Sequence, residues 1–341
     1  MARSTGAKIT WTVLGSAACA AAALFTLKKS PQFRLDGKVV FVTGGSRGLG
    51  LLLAREFMDR GATVAVCARD EQELTRVREE FAPVGDRFLA IQCDLADNDQ
   101  VVFTLETIEK AFGPIDVLVN NAGTIQVGPL ENQRLDDFYA AMRTNFWSAV
   151  HTTLAVLPGM RQRGNGRIVN ITSIGGKIAV PHLLPYSASK FALIGFSKGL
   201  RAELAKDGIS VTTIVPGLMR TGSPRNVTTA GQHEKEYTWF AVGDSLPGVS
   251  MDAKRAARKI VDACVAGTGE VVLGAAAHAA ALFEAFAPNT VSAVFAAVNE
   301  WMLPSPGDTN RKKKGFEAEN PITQSVVTSL TRDAELENNE A

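Results

Sequence analysis

The chain has 341 residues, 46% of them hydrophobic and 21% charged, with 36 basic and 35 acidic side chains and a formal net charge of +1. Such a chain can bury a sizeable core as one large domain with appendages, and its balanced charge offers no basic stripe for nucleic acid. Four scattered cysteines (Cys19, Cys67, Cys93, Cys264) form no Cys-x-x-Cys pair and four histidines (His151, His182, His233, His278) show no ligand spacing, so reduced thiols and no metal are expected.

In chain order, residues 9–27 carry no charged side chain. As a helix they would span about 28 Å, close to the hydrocarbon thickness of a bilayer. Residues 1–30 are therefore read as a candidate membrane anchor with its linker. Lys8 on one side and Lys28 and Lys29 on the other barely favour an orientation. A cleaved signal peptide, with Ala18-Cys19-Ala20 as a small-residue cleavage site, and a helix packed on protein are the alternatives.

Beyond Pro31, apolar strand-like runs at 39–43, 63–67, 88–93, 117–119, 168–172 and 210–215 alternate with helical patterns, and a further run at 270–273 follows a helix expected over 252–265. That alternation predicts an α/β fold: a Rossmann-type, doubly wound, seven-stranded parallel sheet forming a single domain over 36–274. Residues 222–250 are rich in Gly, Pro, Ser and Thr but hold Trp239 and Phe240, and read as a substrate lid. Residues 275–303 form an apolar helical extension that Pro288 divides into two pieces, neither long enough to cross a bilayer. Residues 304–341 read as a polar, poorly ordered tail, in which the cluster Arg311-Lys312-Lys313-Lys314 is solvated.

Two motifs carry chemistry. The first is the turn Thr43-Gly44-Gly45-Ser46-Arg47-Gly48-Leu49-Gly50, which directly precedes an apolar helical pattern. Glycine lets backbone amides approach a pyrophosphate, and the positive end of the following helix favours its charge. The second is Tyr186 with Lys190 in the run Pro-Tyr-Ser-Ala-Ser-Lys. Four residues apart on a helix, the two side chains share a face and can converge on one bound molecule. A free phenol titrates near pH 10, and a neighbouring ammonium would lower that value toward neutrality.

The spacing Thr-Gly-x-x-x-Gly-x-Gly resembles the short-chain dehydrogenase/reductase family. The resemblance continues in order through Asp94-Leu95, Asn120-Asn121-Ala122-Gly123, Asn145, Ser173, Tyr186 with Lys190, and Pro216-Gly217 with Thr221. It implies an NAD(P)-dependent oxidoreductase with a catalytic tetrad of Asn145, Ser173, Tyr186 and Lys190. The cofactor would be held by Gly44, Ser46, Arg47, Gly48, Leu49, Gly50, Arg69, Asp94, Leu95, Asn121, Ala122, Gly123, Pro216, Gly217 and Thr221, together with Tyr186 and Lys190. In such enzymes Asp94 would bond the adenine amino group, Ser173 the substrate oxygen, and Asn145 a helical carbonyl and a water relay to the lysine. Ala68 stands where enzymes preferring the non-phosphorylated dinucleotide carry an acid, while Arg69 and Arg47 can pair with a 2′-phosphate, so NADP(H) is expected.

These readings predict an NADPH-dependent reductase of a ketone or aldehyde, acting reversibly on a small, apolar carbonyl or alcohol substrate. A β-ketoacyl thioester reductase and a hydroxysteroid-type dehydrogenase are the alternative enzymes. A non-catalytic NADP(H)-binding regulator is the alternative of another class. Relatives in the family are often dimers or tetramers, so a homo-oligomer is an expectation. Membrane association through the N-terminal segment is expected, with the catalytic domain cytoplasmic; a soluble cytoplasmic protein is the other reading.

Overall fold

The protein is described here by a computed structural model covering residues 33–246, 248–325 and 328–340. The candidate anchor at 9–27 lies outside the described residues.

Seven strands form one parallel sheet: β1 (Val39–Thr43), β2 (Thr63–Ala68), β3 (Phe88–Gln92), β4 (Val117–Asn120), β5 (Gly166–Ile171), β6 (Ile209–Pro216) and β7 (Glu270–Leu273). Their spatial order is β7-β6-β5-β4-β1-β2-β3. Every residue of β1, β4 and β5 is buried, which explains why these segments read as continuous apolar runs and not as alternating ones: helices cover both faces. β1 pairs with β2 on one side and β4 on the other, so the chain reverses its direction of travel across the sheet there. A ligand crevice opens at such a switch point, beyond the carboxyl ends of the strands.

The helices are α1 (Gly48–Asp59), α2 (Glu71–Phe81), α3 (Asn98–Phe112), α4 (Leu135–Met142), α5 (Ser148–Arg163), α6 (Leu184–Leu204), α7 (His233–Ser245), α8 (Ala253–Ala266), α9 (Ala275–Phe286), α10 (Pro288–Trp301) and α11 (Ser329–Glu337). Several starts are fixed by short acidic side chains that accept otherwise orphaned amides. Asp70 accepts from Gln72 and Glu73 N–H, Asp97 from Asp99 and Gln100, and Asp252 from Arg255. On one face of the sheet Phe41, Cys67, Leu118, Ile168 and Val211 pack against Val101, Leu105 and Ile108 of α3 and Val156, Leu157 and Met160 of α5. A buried polar chain crosses this apolar body. Asn120 Nδ2 donates to Asn170 Oδ1 (2.9 Å), Asn170 Nδ2 to Ser197 Oγ (2.9 Å), and Ser197 pairs with Thr213 (2.7 Å), tying β4, β5 and β6 to α6.

α7 fills the centre of residues 222–250, and Tyr237, Phe240 and Ala241 pack with Val127, Leu183, Val227 and Ala318 in a second apolar cluster. One expectation changes. The region 304–340 is folded back onto the domain and is not poorly ordered. Lys313–Lys314 pairs antiparallel with Thr228–Thr229, Ala318 and Thr331 are buried, and Asn338 and Glu340 are 2% and 7% exposed. Its low apolar content concealed this. Specific polar partners hold it, such as Ser245 Oγ on Thr331 Oγ1 at 2.6 Å and Asn338 Nδ2 on the Thr221 carbonyl at 3.1 Å. The basic cluster is likewise engaged: Lys312 Nζ is 2.7 Å from Asp137.

Among the described residues no single helix is long and apolar enough to cross a membrane; α9 and α10 pass that test only as a pair bent by 118°.

Candidate active site

The glycine-rich turn leaves β1 and enters α1 with its shape dictated by close backbone approach. Gly44 has φ +63°, and a Cβ there would lie 2.9 Å from Ala122 Cα. A Cβ on Gly50 would lie 2.0 Å from the Gly44 carbonyl oxygen. Thr43 and Asn121 lock this turn to the end of β4. Thr43 Oγ1 accepts from Asn121 and Ala122 N–H (2.9 and 3.1 Å), and Asn121 Nδ2 donates to the carbonyls of Thr43 and Gly44 (both 3.0 Å).

A cavity of about 900 Å³ runs from this turn to the start of α6. Every residue assigned to the cofactor from the sequence lines it: Gly44, Ser46, Arg47, Gly48, Leu49, Gly50, Arg69, Asp94, Leu95, Asn121, Ala122, Gly123, Pro216, Gly217 and Thr221. Ser173, Tyr186 and Lys190 line its other end. The Asp94 carboxylate accepts from Ala96 N–H (3.1 Å), so it shapes its own turn while bordering the cavity. The cleft fits a dinucleotide. Backbone clearance at Gly44 and Gly50, the amide-bearing start of α1 and the cations at the end of β2 are the features such a ligand requires.

Tyr186 and Lys190 sit one turn apart near the start of α6, with Lys190 Nζ 5.8 Å from the phenol ring centroid. Lys190 is 4% exposed and donates to the Ile171 carbonyl at the end of β5 (3.0 Å). Burial lowers its pKa to about 8. Ser173, just past β5, accepts from Gly175 N–H (3.0 Å) and hydrogen-bonds Tyr186.

The expected acidification of Tyr186 by Lys190 does not hold in this geometry. Burial pushes the phenol up to about 12, the Ser173 hydrogen bond opposes that shift, and the Asp244 charge adds to it. Desolvation of the phenolate outweighs the Ser173 hydrogen bond.

Asn145 is 1% exposed and lies in a π-helical turn, Arg143–Trp147, that joins α4 to α5. Such turns tend to mark functional sites. Its amide bonds the loop after β4 instead of a helical carbonyl. Oδ1 accepts from Thr124 N–H (2.7 Å), while Nδ2 donates to the Thr124 carbonyl (3.0 Å) and to Ser189 Oγ (2.9 Å). A Cβ on Gly123 would sit 3.0 Å from Asn145 Oδ1 and 3.5 Å from Lys190 Nζ, so Asn145 and Lys190 meet around one small-residue loop.

The profile of the short chain dehydrogenase family matches residues 38–231, more than half of the chain. The chain is a short-chain dehydrogenase/reductase. It is similar, at 37% identity over 57% of its length and 72% of the relative's, to an oxidoreductase of Botryotinia fuckeliana. It is 40% identical to a dehydrogenase/reductase SDR family protein 7-like of Anopheles gambiae over 57% of its length, a match spanning 63% of that protein. It is also 33% identical to dehydrogenase/reductase SDR family member 7B of Danio rerio over 75% of its length and 83% of that protein's. Among solved structures, a gluconate 5-dehydrogenase of Burkholderia cenocepacia in complex with NADP and tartrate superposes with a TM-score of 0.64 at 28% identity, covering 73% of this chain and 98% of that one. An actinorhodin polyketide ketoreductase with NADPH gives 0.62 at 31% identity, covering 70% and 97%. The protein is thus an NAD(P)-dependent oxidoreductase with the family's seven-stranded sheet.

In this dehydrogenase/reductase the roof of the cleft comes from α7 and the tail. Trp239, Phe240, Gly243 and Asp244 of α7 line the cavity. The helix is latched by a buried carboxylate: Glu236, 0% exposed, accepts from Trp239 Nε1 (2.8 Å) and contacts His182 Nδ1 (2.9 Å). His182 adopts a left-handed φ of 64°, uncommon for a side-chain-bearing residue, in the loop that leads into α6.

Sequence reasoning missed several residues here. Asp244 is 5% exposed, its Oδ2 has no hydrogen-bond partner, and burial raises its carboxyl to about 7. Glu73 accepts from Ser46 Oγ (2.6 Å) and pairs with Arg47 (2.9 Å). Lys314 lines the cavity and feels the charges of Arg47 and Arg69, which with burial lower its pKa. Glu340 lines it too. Glu340 had no signal in local spacing, whereas Glu73 was one turn into a helix whose cap was legible.

Proposed function

We propose that this enzyme is an NADPH-dependent reductase of a ketone or aldehyde on a lipophilic substrate, working reversibly with Tyr186 as the general acid/base. The carrying observation is the convergence of Ser173, Tyr186 and Lys190 at one end of a cavity whose other end is the glycine turn. The nicotinamide cofactor, when bound, supplies the hydride. The residues of the chain do the rest. Tyr186 gives its hydroxyl proton to the carbonyl oxygen as charge builds there, and Ser173 donates a hydrogen bond to the same oxygen. A phenol at about 12 is protonated near neutrality, which is the form a proton donor needs. Lys190 places a positive charge beside the phenolate left behind, and Asn145 fixes the loop against which Lys190 stands.

NADP(H) over NAD(H) rests on the cluster of Arg47, Arg69 and Lys314 around the end of β2, with no acid at Ala68. Cofactor complexes of the two structural relatives support it. The lipophilic substrate rests on Trp239, Phe240, Leu218 and Val249 in the cavity wall. A β-ketoacyl thioester reductase is the second reading, favoured by 39% identity to a putative ketoacyl reductase of Streptomyces coelicolor over 54% of this chain. Loss of reduced-nicotinamide absorbance with a panel of apolar ketones and β-ketoacyl thioesters tests both readings. Tyr186→Phe should cut turnover at least about a hundredfold while leaving NADPH affinity within about twofold. Retention of most activity would reject the proton donor, and tight NADPH binding with no turnover on any substrate would favour a non-catalytic regulator.

A further inference from the structure

Two carboxylates already hold the arginine assigned to the cofactor's extra phosphate. Arg47 Nη1 lies 2.9 Å from Glu73 Oε1, and Arg47 Nε lies 3.4 Å from Glu340 Oε2. Glu73 belongs to α2, part of the dinucleotide-binding half, whereas Glu340 arrives from the far end of the sequence. We propose that the segment Asn338–Glu340 is a built-in competitor for the 2′-phosphate, and that Glu340 sets how strongly the enzyme distinguishes NADPH from NADH. This inference rests on Arg47 being a phosphate-reading residue.

The segment is seated on the turn by directed bonds. The Asn338 carbonyl accepts from Gly48 N–H (2.8 Å), taking one of the amides at the start of α1 that favour anions. Asn339 Nδ2 donates to the Ser46 carbonyl (2.8 Å) and the Glu73 carbonyl (3.2 Å). Asn226 Nδ2 donates to Glu340 Oε2 (2.6 Å) and to the Glu340 carbonyl (3.1 Å), so the carboxylate is aimed and does not dangle. A Cβ added to Gly48 would come within 2.5 Å of Glu340 Oε1, which leaves no gap between the tail and the turn.

Charge decides the consequence. A phosphate monoester on Arg47 must displace Glu340 or accept its negative charge nearby, and it offers the guanidinium more charge and more acceptor oxygens than a carboxylate does. The exchange is uphill only by what holds Glu340. Burial already pushes that carboxyl up to about 7, so its anion is poorly solvated where it lies. A dinucleotide without the 2′-phosphate makes no claim on Arg47. The Asn338 carbonyl on Gly48 N–H stands at the turn that both dinucleotides use and weighs on them alike, whereas the Glu340 carboxylate on Arg47 bears on the 2′-phosphate alone. Linkage then requires that NADPH weaken the seating of the segment by the factor by which the segment weakens NADPH.

The test is equilibrium titration, by nicotinamide fluorescence, of the full chain, of Glu340→Gln, and of a variant ending at Glu337, each with NADPH and with NADH. Glu340→Gln keeps the size and the Asn226 contact but removes the charge; the shorter variant removes the segment and keeps Lys314. Glu340→Gln should bind NADPH about tenfold more tightly with NADH changed by less than about twofold, and the shorter variant should tighten both dinucleotides with the larger gain for NADPH. Weaker NADPH binding in either variant, or parallel changes for the two cofactors in Glu340→Gln, overturns the proposal. Arg47→Gln separates this failure from failure of the phosphate assignment. If Arg47→Gln removes NADPH preference while Glu340→Gln leaves it unmoved, only the competitor is rejected. If Arg47→Gln leaves the preference intact, the phosphate assignment falls and the competitor with it.

Discussion

The floor of the cleft and its roof are built on opposite principles. The floor consists of strand ends, the glycine turn and the first turns of α1 and α6, in which each functional group sits within a few residues of a regular element. The roof consists of α7 and residues 304–340, which reach the site by long returns of the chain. The floor holds the neutral phenol, the ammonium and the backbone amides that chemistry and cofactor need. The roof contributes two carboxylates, Asp244 and Glu340, each buried and each raised to about 7. A buried carboxylate with incomplete partners destabilises its surroundings, so the roof carries stored electrostatic cost that ligands can relieve. The floor does not.

The largest effect that would break this contrast is at Gly50. An Ala there places a Cβ 2.0 Å from the Gly44 carbonyl oxygen and 2.6 Å from Asn121 Nδ2, both in the interlocked floor. Backbone atoms cannot yield as a flexible side chain would. Gly50→Ala should destabilise by about 3 kcal/mol and abolish measurable binding of both NADPH and NADH, read by thermal melting and cofactor fluorescence. Normal cofactor affinity in that variant would show the turn to be as adaptable as the roof.

The same division explains what could be read from sequence. The seven strands were found to within two residues because buried parallel strands leave continuous apolar runs, and β1 and β7 coincide with their expected bounds. Asp70 was legible as a cap, and the cavity-lining residues were legible from glycine spacing and ordered motifs. Asn145 was legible as a position, yet its π-helical turn was not, since nothing in Arg143-Thr144-Asn145-Phe146-Trp147 announces an extra residue per turn. Residues 304–340 defeated a composition-based reading because their order comes from side-chain partners more than 80 positions away, such as Thr331 on Ser245 and Asn338 on Thr221. The acidification of Tyr186 failed for a related reason: residue spacing gives the neighbour but not the depth of burial, and burial wins.

A pH profile sharpens the comparison at the roof. Asp244 titrates near 3.8 when exposed and near 7 when folded, so between those values the folded state holds the proton that the unfolded state has released. Stability is therefore lost as pH rises through that window, and the loss is complete above it. Burial is the main cause; Met219 N–H and Arg220 oppose it, while the Glu340 charge adds to it. Asp244→Asn removes this contribution, and should gain about 2 kcal/mol over the unmodified protein at about pH 8 and nothing at about pH 4, measured by urea unfolding. Glu335 and Glu340, also raised to about 7, keep a residual slope in the variant. A gain that is the same at both pH values would mean that Asp244 ionises normally in the folded roof.

The smallest effect belongs to the polar chain inside the floor, and it distinguishes holding a site from forming one. Asn170 is 0% exposed and joins Asn120 to Ser197, so it ties the strand that ends near Ser173 to the helix that carries Tyr186 and Lys190. Removing its amide orphans one donor on Asn120 and one acceptor on Ser197, but the neighbouring links Thr152 to Asn120 (2.6 Å) and Ser197 to Thr213 (2.7 Å) remain. Partial satisfaction limits the penalty to about 1–2 kcal/mol. Asn170→Ala should therefore lower the urea midpoint without changing the NADPH-to-NADH affinity ratio, because no member of the chain touches the phosphate end of the cleft. A shifted cofactor ratio would mean that floor packing reaches Arg47 after all, and the independence of floor and roof would have to be given up.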